Sequence, residues 1–204
     1  MKPLTAEELD KASLVKADVA GYEVKAATKA EVTAADAVKV TGAGCQPLGR
    51  AVAGAAVGEP DANVSRRVTG NGADALSAEE EAVDINVGMV TLASYASSDD
   101  AATALKSVGD AVAACAGGFE WTAGGELLKA SKVARDKAPT AGEEAVAFSA
   151  VTPVDGVSAP WKVVVSRKGA TLAHFVVSNA GSMVSGKDFT FPADLVTAQT
   201  GKLA

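Results

Sequence analysis

Pro160-Trp161-Lys162-Val163-Val164-Val165-Ser166-Arg167-Lys168-Gly169-Ala170-Thr171-Leu172-Ala173-His174-Phe175-Val176-Val177-Ser178-Asn179 is the stretch that decides the fold. Runs rich in β-branched and aromatic residues flank Lys168-Gly169, which reads as a hairpin turn. Successive side chains of a strand point to opposite faces. Val163 and Val165 therefore share one face and Val164 takes the other. Beyond the turn, Leu172 and Val176 stand opposite Phe175 and Val177. An antiparallel sheet with one wet face would alternate apolar with polar, and these strands do not. Both faces need a cover.

Working outward, the run 143–152 leads through Asp155-Gly156 into the first of these strands, so the last three strands (143–152, 160–168 and 171–179) form an antiparallel meander. Alternation and turn residues place further strands at 22–28, 62–69, 82–95, 118–124 and 127–134, the last two joined by Gly124-Gly125. Helices read at about 5–17, 47–57, 99–116 and 192–203. Pro47 opens the second and Gly58 ends it. In the third, Leu105, Val108, Val112 and Cys115 fall on one stripe, Ser98 and Asp99 can cap it, and Gly117-Gly118 stops it. Segments 29–44 and 70–81 read as loops. The expectation is an α+β chain with one mainly antiparallel sheet and helices on both faces, the covers being 99–116 and 192–203. No internal repeat or domain boundary interrupts residues 1–204, which read as a single domain.

Composition narrows the function. Apolar residues make up 48% of the 204, which excludes a disordered chain, yet aromatics are only 4%, leaving little for base-stacking platforms. The net charge of −6 gives no positive surface for phosphate backbones or anionic lipid. Arg66-Arg67, an adjacent basic pair, reads as solvated charge. No apolar run reaches the roughly 18 residues a membrane helix needs. Met1-Lys2-Pro3-Leu4-Thr5 leads directly into an amphipathic acidic segment, which by itself points to the cytoplasm; a chain starting after a removed leader would look the same.

The two cysteines admit three readings. They could be unrelated buried thiols. Cys45, at a helix N-terminus, could be a reactive thiol of lowered pKa. Or Cys45 and Cys115 could be bonded, closing a loop of about 70 residues worth roughly 4 kcal/mol. Spacing does not choose among them.

Motifs for chemistry are weak. Gly181-Ser182-Met183-Val184-Ser185-Gly186-Lys187-Asp188 follows a strand and matches a phosphate-binding loop up to its last position. There Asp188 replaces the hydroxyl that would hold magnesium, and Phe189-Thr190-Phe191-Pro192 reads as extended where a helix should start. Gly70-Asn71-Gly72-Ala73-Asp74-Ala75 superficially resembles a dinucleotide fingerprint, but no acid follows around Val90 to Leu92, so a wide turn is the better reading. His174 is the single histidine; with no serine elbow and no metal-like spacing nearby it reads as a core or edge residue. The acid pairs Glu143-Glu144 and Asp99-Asp100 read as caps or solvated charge. No catalytic residue, metal ligand or cofactor emerges. Tyr95, Trp121 and Trp161 are the candidates to line a binding pocket, because bulky aromatics are scarce, although core packing is the commoner job for each.

Several segments carry a resemblance. Leu9 to Val24, ending Asp18-Val19-Ala20-Gly21-Tyr22-Glu23-Val24, is similar to the opening of small actinobacterial secreted lipoproteins. So are Cys45-Gln46-Pro47-Leu48, Ala111-Val112-Ala113-Ala114-Cys115-Ala116-Gly117-Gly118-Phe119, Gly142-Glu143-Glu144-Ala145-Val146-Ala147-Phe148 and Phe191-Pro192-Ala193-Asp194-Leu195-Val196. Such lipoproteins resemble the extracellular sensor domains of mycobacterial transmembrane serine/threonine kinases. The resemblance implies a Cys45–Cys115 disulfide, a PsbP-like sandwich with a cleft, and no catalytic activity or cofactor. It implies a place outside the cytoplasmic membrane, secreted or held by a lipid anchor preceding residue 1, with an envelope ligand or partner protein and no nucleic acid. An envelope hydrolase or a lipid carrier is the alternative.

Overall fold

The computed structural model describes residues 2–71, 84–154 and 156–203. Seven strands build one antiparallel sheet in the spatial order β1 (Tyr22–Ala26), β3 (Ala62–Gly70), β4 (Asn86–Ser94), β10 (Thr171–Asn179), β9 (Val157–Lys168), β8 (Glu144–Val154) and β7 (Lys132–Asp136). The strands quoted at the outset lie at its centre, with Val176 opposite Val163 and Phe175 opposite Val164. A second, three-stranded sheet is formed by β2 (Lys39–Val40), β5 (Phe119–Ala123) and β6 (Glu126–Ala130).

Both faces of the large sheet are covered, as its apolar residues require. On one face lie α2 (Gln46–Val52), α3 (Ser98–Ala114) and the small sheet, whose side chains meet Ala93, Phe148, Val163, Val165, Leu172 and Val176. On the other lie α1 (Ala6–Ala12) and α5 (Ala193–Lys202), which bring Leu9, Leu195 and Val196 onto Val90, Val164, Ala173 and Phe175. Each valine, leucine or phenylalanine among these, fully buried, stabilises the fold by about 1.5–3 kcal/mol. Among the described residues, no helix is long and apolar enough to cross a membrane.

The differences from the sequence reading have local physical causes. The first helix ends at Ala12 rather than continuing to residue 17. Buried Gln199 reaches across from α5, accepting from the Leu14 amide (3.0 Å) and donating to the Ala12 carbonyl (2.8 Å), so it takes over backbone groups a longer helix would have used. Residues Lys16–Asp18 form only a 3₁₀ turn. The second helix stops at Val52, well before Gly58, because Gly54 turns the chain with φ 70° and its carbonyl accepts from the Thr91 hydroxyl (2.8 Å). The single strand read at 127–134 is two strands in different sheets. The chain crosses over at Ser131, whose amide donates to the Val151 carbonyl (2.8 Å). β2 lies inside the segment read as a loop over 29–44. Gly70, at the start of the loop read at 70–81, belongs to β3; the rest of that loop from residue 72, the first two residues of the 82–95 strand, and Asp155 of the turn between β8 and β9 fall outside the described residues.

Arg66 is not solvated. It is buried and donates to the Asp10 carboxylate (2.7 Å) and carbonyl (3.0 Å), tying α1 to β3. Glu143 and Glu144 likewise meet one buried guanidinium, that of Arg167, at 2.7 and 3.4 Å. Asp99 and Asp100 do open α3, with the Ser97 side chain accepting from the Asp100 amide (3.1 Å). At the other end of α3 the chain turns through Gly118 (φ 97°), where any Cβ would stand 2.2 Å from the Ala130 carbonyl oxygen.

Cys45 and Cys115 form a disulfide, with Cα atoms 5.9 Å apart and 70 residues between them in sequence. Cys45 is the residue before α2 and Cys115 the residue after α3, so the bond staples the two helices at the ends that adjoin the small sheet. Replacing both by alanine is expected to remove roughly 4 kcal/mol of loop-closure stabilisation and to lower the melting temperature by roughly 10 °C. Thermal unfolding of C45A/C115A beside the parent checks this; a shift under a few degrees would mean the bridge constrains little.

His174 lies within the sheet in a row that runs Ser65, Thr91, His174, Val165, Val146 across five strands. It is 1% exposed, and neither ring nitrogen has a hydrogen-bond partner among the described residues. Burial disfavours the charged ring and lowers its pKa from 6.5 to about 4. The unfolded imidazole takes up a proton below about pH 6.5, while the folded one stays neutral down to about pH 4. Stability attributable to this residue is therefore intact above about pH 6.5 and declines by roughly 3 kcal/mol between the two values. Denaturant melts at about pH 7.5 and about pH 4.5 should show that loss in the parent and a smaller loss in H174L. Equal losses would contradict it.

Candidate functional site

Small-residue helices let the two sheets approach unevenly. Gly49 of α2 has no room for a side chain, since a Cβ there would stand 2.3 Å from Val40 Cγ2, and so α2 sits close under β2. β2 in turn pairs with β5, Val40 lying opposite Trp121. Trp121 leans on Phe119, the ring centroids 5.2 Å apart. Beyond this contact, between β6 and the large sheet, a cleft of about 590 Å³ remains. Clefts of about 300–1,000 Å³ with mostly apolar linings are typical small-molecule sites.

The floor is Met89 and Val176 of the large sheet with Val52 and Ala53 from the end of α2. Trp121 and Leu128 of the small sheet form one wall, and Pro153 and Trp161 from the β8–β9 hairpin form the other. Apolar side chains continue out onto the rim: Leu127 is 70% exposed, and Leu128 and Val87 are each 39% exposed. Trp121 itself is buried, and its indole N–H has no acceptor among the described residues. A buried donor left unmade in this way costs about 1–3 kcal/mol. Three charged residues border the space. Arg67 pairs with Glu31 (3.1 Å) and Lys129 pairs with Glu120 (3.2 Å).

Two of the three aromatic candidates thus come together here, Trp121 and Trp161. Tyr95 sits elsewhere. It is buried in the core beneath α2, its hydroxyl donates to the Val57 carbonyl, and burial raises its pKa. Sequence reading missed the floor residues Met89, Val176, Val52 and Ala53, which come from separate elements and carry no shared motif.

A larger depression, about 910 Å³, lies over β1, β4 and the end of β10 and is bordered by Phe189 and Phe191. Its polar floor is internally satisfied. Asn86 Nδ2 donates to the Tyr22 hydroxyl (3.2 Å), and Asn179 Nδ2 donates to Asp84 (2.6 Å) and to Asn86 Oδ1 (3.1 Å). Burial pushes the Tyr22 phenol up to about 12; the Asn86 hydrogen bond opposes this, and Asp194 and Asp84 add to it. Asn179 also caps α4 (Ala180–Ser185) by accepting from the Ser182 amide (3.0 Å), and Gly186 ends that helix with φ 71°. The stretch that matched part of a phosphate-binding loop is this capped helical turn, and Asp188 is engaged with Lys162 (2.9 Å). Of the two spaces, the apolar cleft is the one lined by both tryptophans.

His174 is enclosed in the sheet, and among the described residues no hydroxyl or carboxylate is bonded to either nitrogen, so it is not placed to act as a general base.

No family model matches the chain, and no curated protein matches it. Among solved structures it is similar to the extracellular domain of PknH from Mycobacterium tuberculosis, with a TM-score of 0.59, 12% sequence identity, and coverage of 98% of this chain and 95% of that one. At this identity the two share a fold, and the likeness runs through the whole described sandwich.

Proposed function

We propose that this chain is a non-catalytic sensing or binding domain of a secreted lipoprotein, acting at the outer face of the cytoplasmic membrane and holding its ligand in the cleft between the two sheets. The observation that carries the reading is the cleft itself, an apolar space walled by Trp121 and Trp161 with exposed leucines at its mouth. Exposed apolar groups gathered at a concavity mark binding sites rather than ordinary surface. The disulfide supports a compartment outside the reducing cytosol. The fold shared with a kinase extracellular domain supports the same compartment and the sensing role. A hydrolase reading would need a titratable group poised in a pocket, and His174, its one candidate, is enclosed in the sheet.

Both tryptophans of the chain line this cleft, so intrinsic fluorescence reports on it directly. The neutral apolar dye Nile red is expected to bind and to quench that emission. Trp161→Ala should weaken the dye by roughly tenfold or more, as loss of a buried aromatic anchor does. Leu127→Ser, at a position too exposed to disturb folding, should weaken it by a smaller factor. Absence of dye binding, or affinity untouched in both variants, would remove the cleft from consideration.

A further inference from the structure

The two edges of the large sheet are finished differently. At β7 the Val133 amide points away from β8 and donates to the Ala116 carbonyl just beyond α3 (3.1 Å). The Arg135 guanidinium reaches the Gly109 carbonyl inside that helix (2.9 Å), so α3 closes this edge. β1, at the opposite edge, is left open. The Ala27 amide, next along the chain, donates to the Ser65 carbonyl of β3 (3.1 Å), and bonded positions alternate along an antiparallel ladder. Glu23 and Lys25 therefore bond inward to β3, while Val24 and Ala26 turn their amide and carbonyl groups outward. Among the described residues no hydrogen bond reaches those outward groups. An open row of backbone donors and acceptors is a template for another strand.

The side chains of β1 identify the strand that fits. Glu23 and Lys25 share one face, are 57% and 67% exposed, and pair with each other at 2.8 Å. Two copies of one edge, related by a two-fold axis normal to the sheet, run antiparallel. We propose that this protein self-associates through β1 as a two-fold dimer centred on Val24. Glu23 then stands opposite Lys25 of the second copy, and Lys25 opposite its Glu23. The two internal pairs become one ring of four alternating charges. These are the positions of the new ladder without backbone bonds, where facing side chains come closest, while the Val24 groups of the two copies exchange hydrogen bonds. The same charges fix the register. Centring the pair on Glu23 sets Glu against Glu, and centring it on Lys25 sets Lys against Lys, both unfavourable. β1 is five residues long and begins with a buried Tyr22, so the overlap is small and the dimer a weak one. An axis normal to the sheet keeps each face on its own side, so both apolar clefts open in the same direction. The dimer does not depend on what the cleft holds.

Sedimentation equilibrium of the full chain at low salt, from about 10 μM to about 1 mM, spans the range of a weak association. The average mass of the parent is expected to climb toward that of two chains. E23K and K25E each set like charges face to face at both contacts and should weaken the association about tenfold or more. E23K/K25E rebuilds the ring with its signs exchanged, keeps the net charge at −6, and should recover the parent's affinity. V24P removes an amide that points away from β3, costs the chain's own ladder no bond, and should leave a monomer. A parent that stays monomeric at every concentration overturns the proposal. So does an association untouched by the single reversals, or one that the double exchange fails to restore.

Discussion

The central β9–β10 pair is apolar on both of its faces, and the rest of the architecture answers that condition. Val163, Val165, Leu172 and Val176 look one way and Val164, Ala173 and Phe175 the other, each essentially sealed from water. One covering layer would leave half of these side chains wet. The chain meets the demand with elements from both termini: α1 and α5 close one side, and α2, α3 and the small sheet close the other. Polar groups are spent on keeping these covers in place. Gln199 and Arg66 are buried specifically where α1 would otherwise be joined to its neighbours by apolar contact alone.

The cleft follows from how unevenly the second cover fits. α3 spreads Leu105, Val108 and Val112 over one end of the sheet, while the other end is roofed only by short strands. The disulfide fixes where those strands can stand, because Cys45 follows β2 by a few residues and Cys115 precedes β5 by a few. Trp121 is thereby held over the sheet, and the space beyond it stays open. A small-residue chain suits this arrangement. With aromatics at 4%, few side chains are large enough to fill a gap of this size, and the two that reach it form walls.

Much of this was legible in the sequence, and the remainder was not for definite reasons. The meander and the two-faced burial followed from the 160–179 run, and β10 spans the residues expected, Thr171–Asn179. Gly117-Gly118 marked the end of α3, and at Gly118 the positive φ and the nearby Ala130 carbonyl leave no room for a side chain. The small sheet was only half visible. β2 is two residues long, too short for any period to register, and no glycine or proline marks the break at Ser131. The early end of α1 depends on Gln199, 185 residues from its partner Leu14, and no local pattern encodes that. Scarcity of aromatics singled out Trp121 and Trp161 for the site, yet gave no means of separating them from Tyr95. The distinction lies in which element roofs each residue, and that is a property of the assembled layers.

The covalent ring closed between Cys45 and Cys115 has one further outcome. It encloses α2, β3, β4 and α3. A protease that cuts one peptide bond anywhere inside this ring yields a two-chain molecule whose halves stay linked through sulfur. The nicked form keeps both partners of the β3–β4 pairing on the same covalent body. It would migrate as intact protein on a non-reducing gel and separate into fragments when thiol is added.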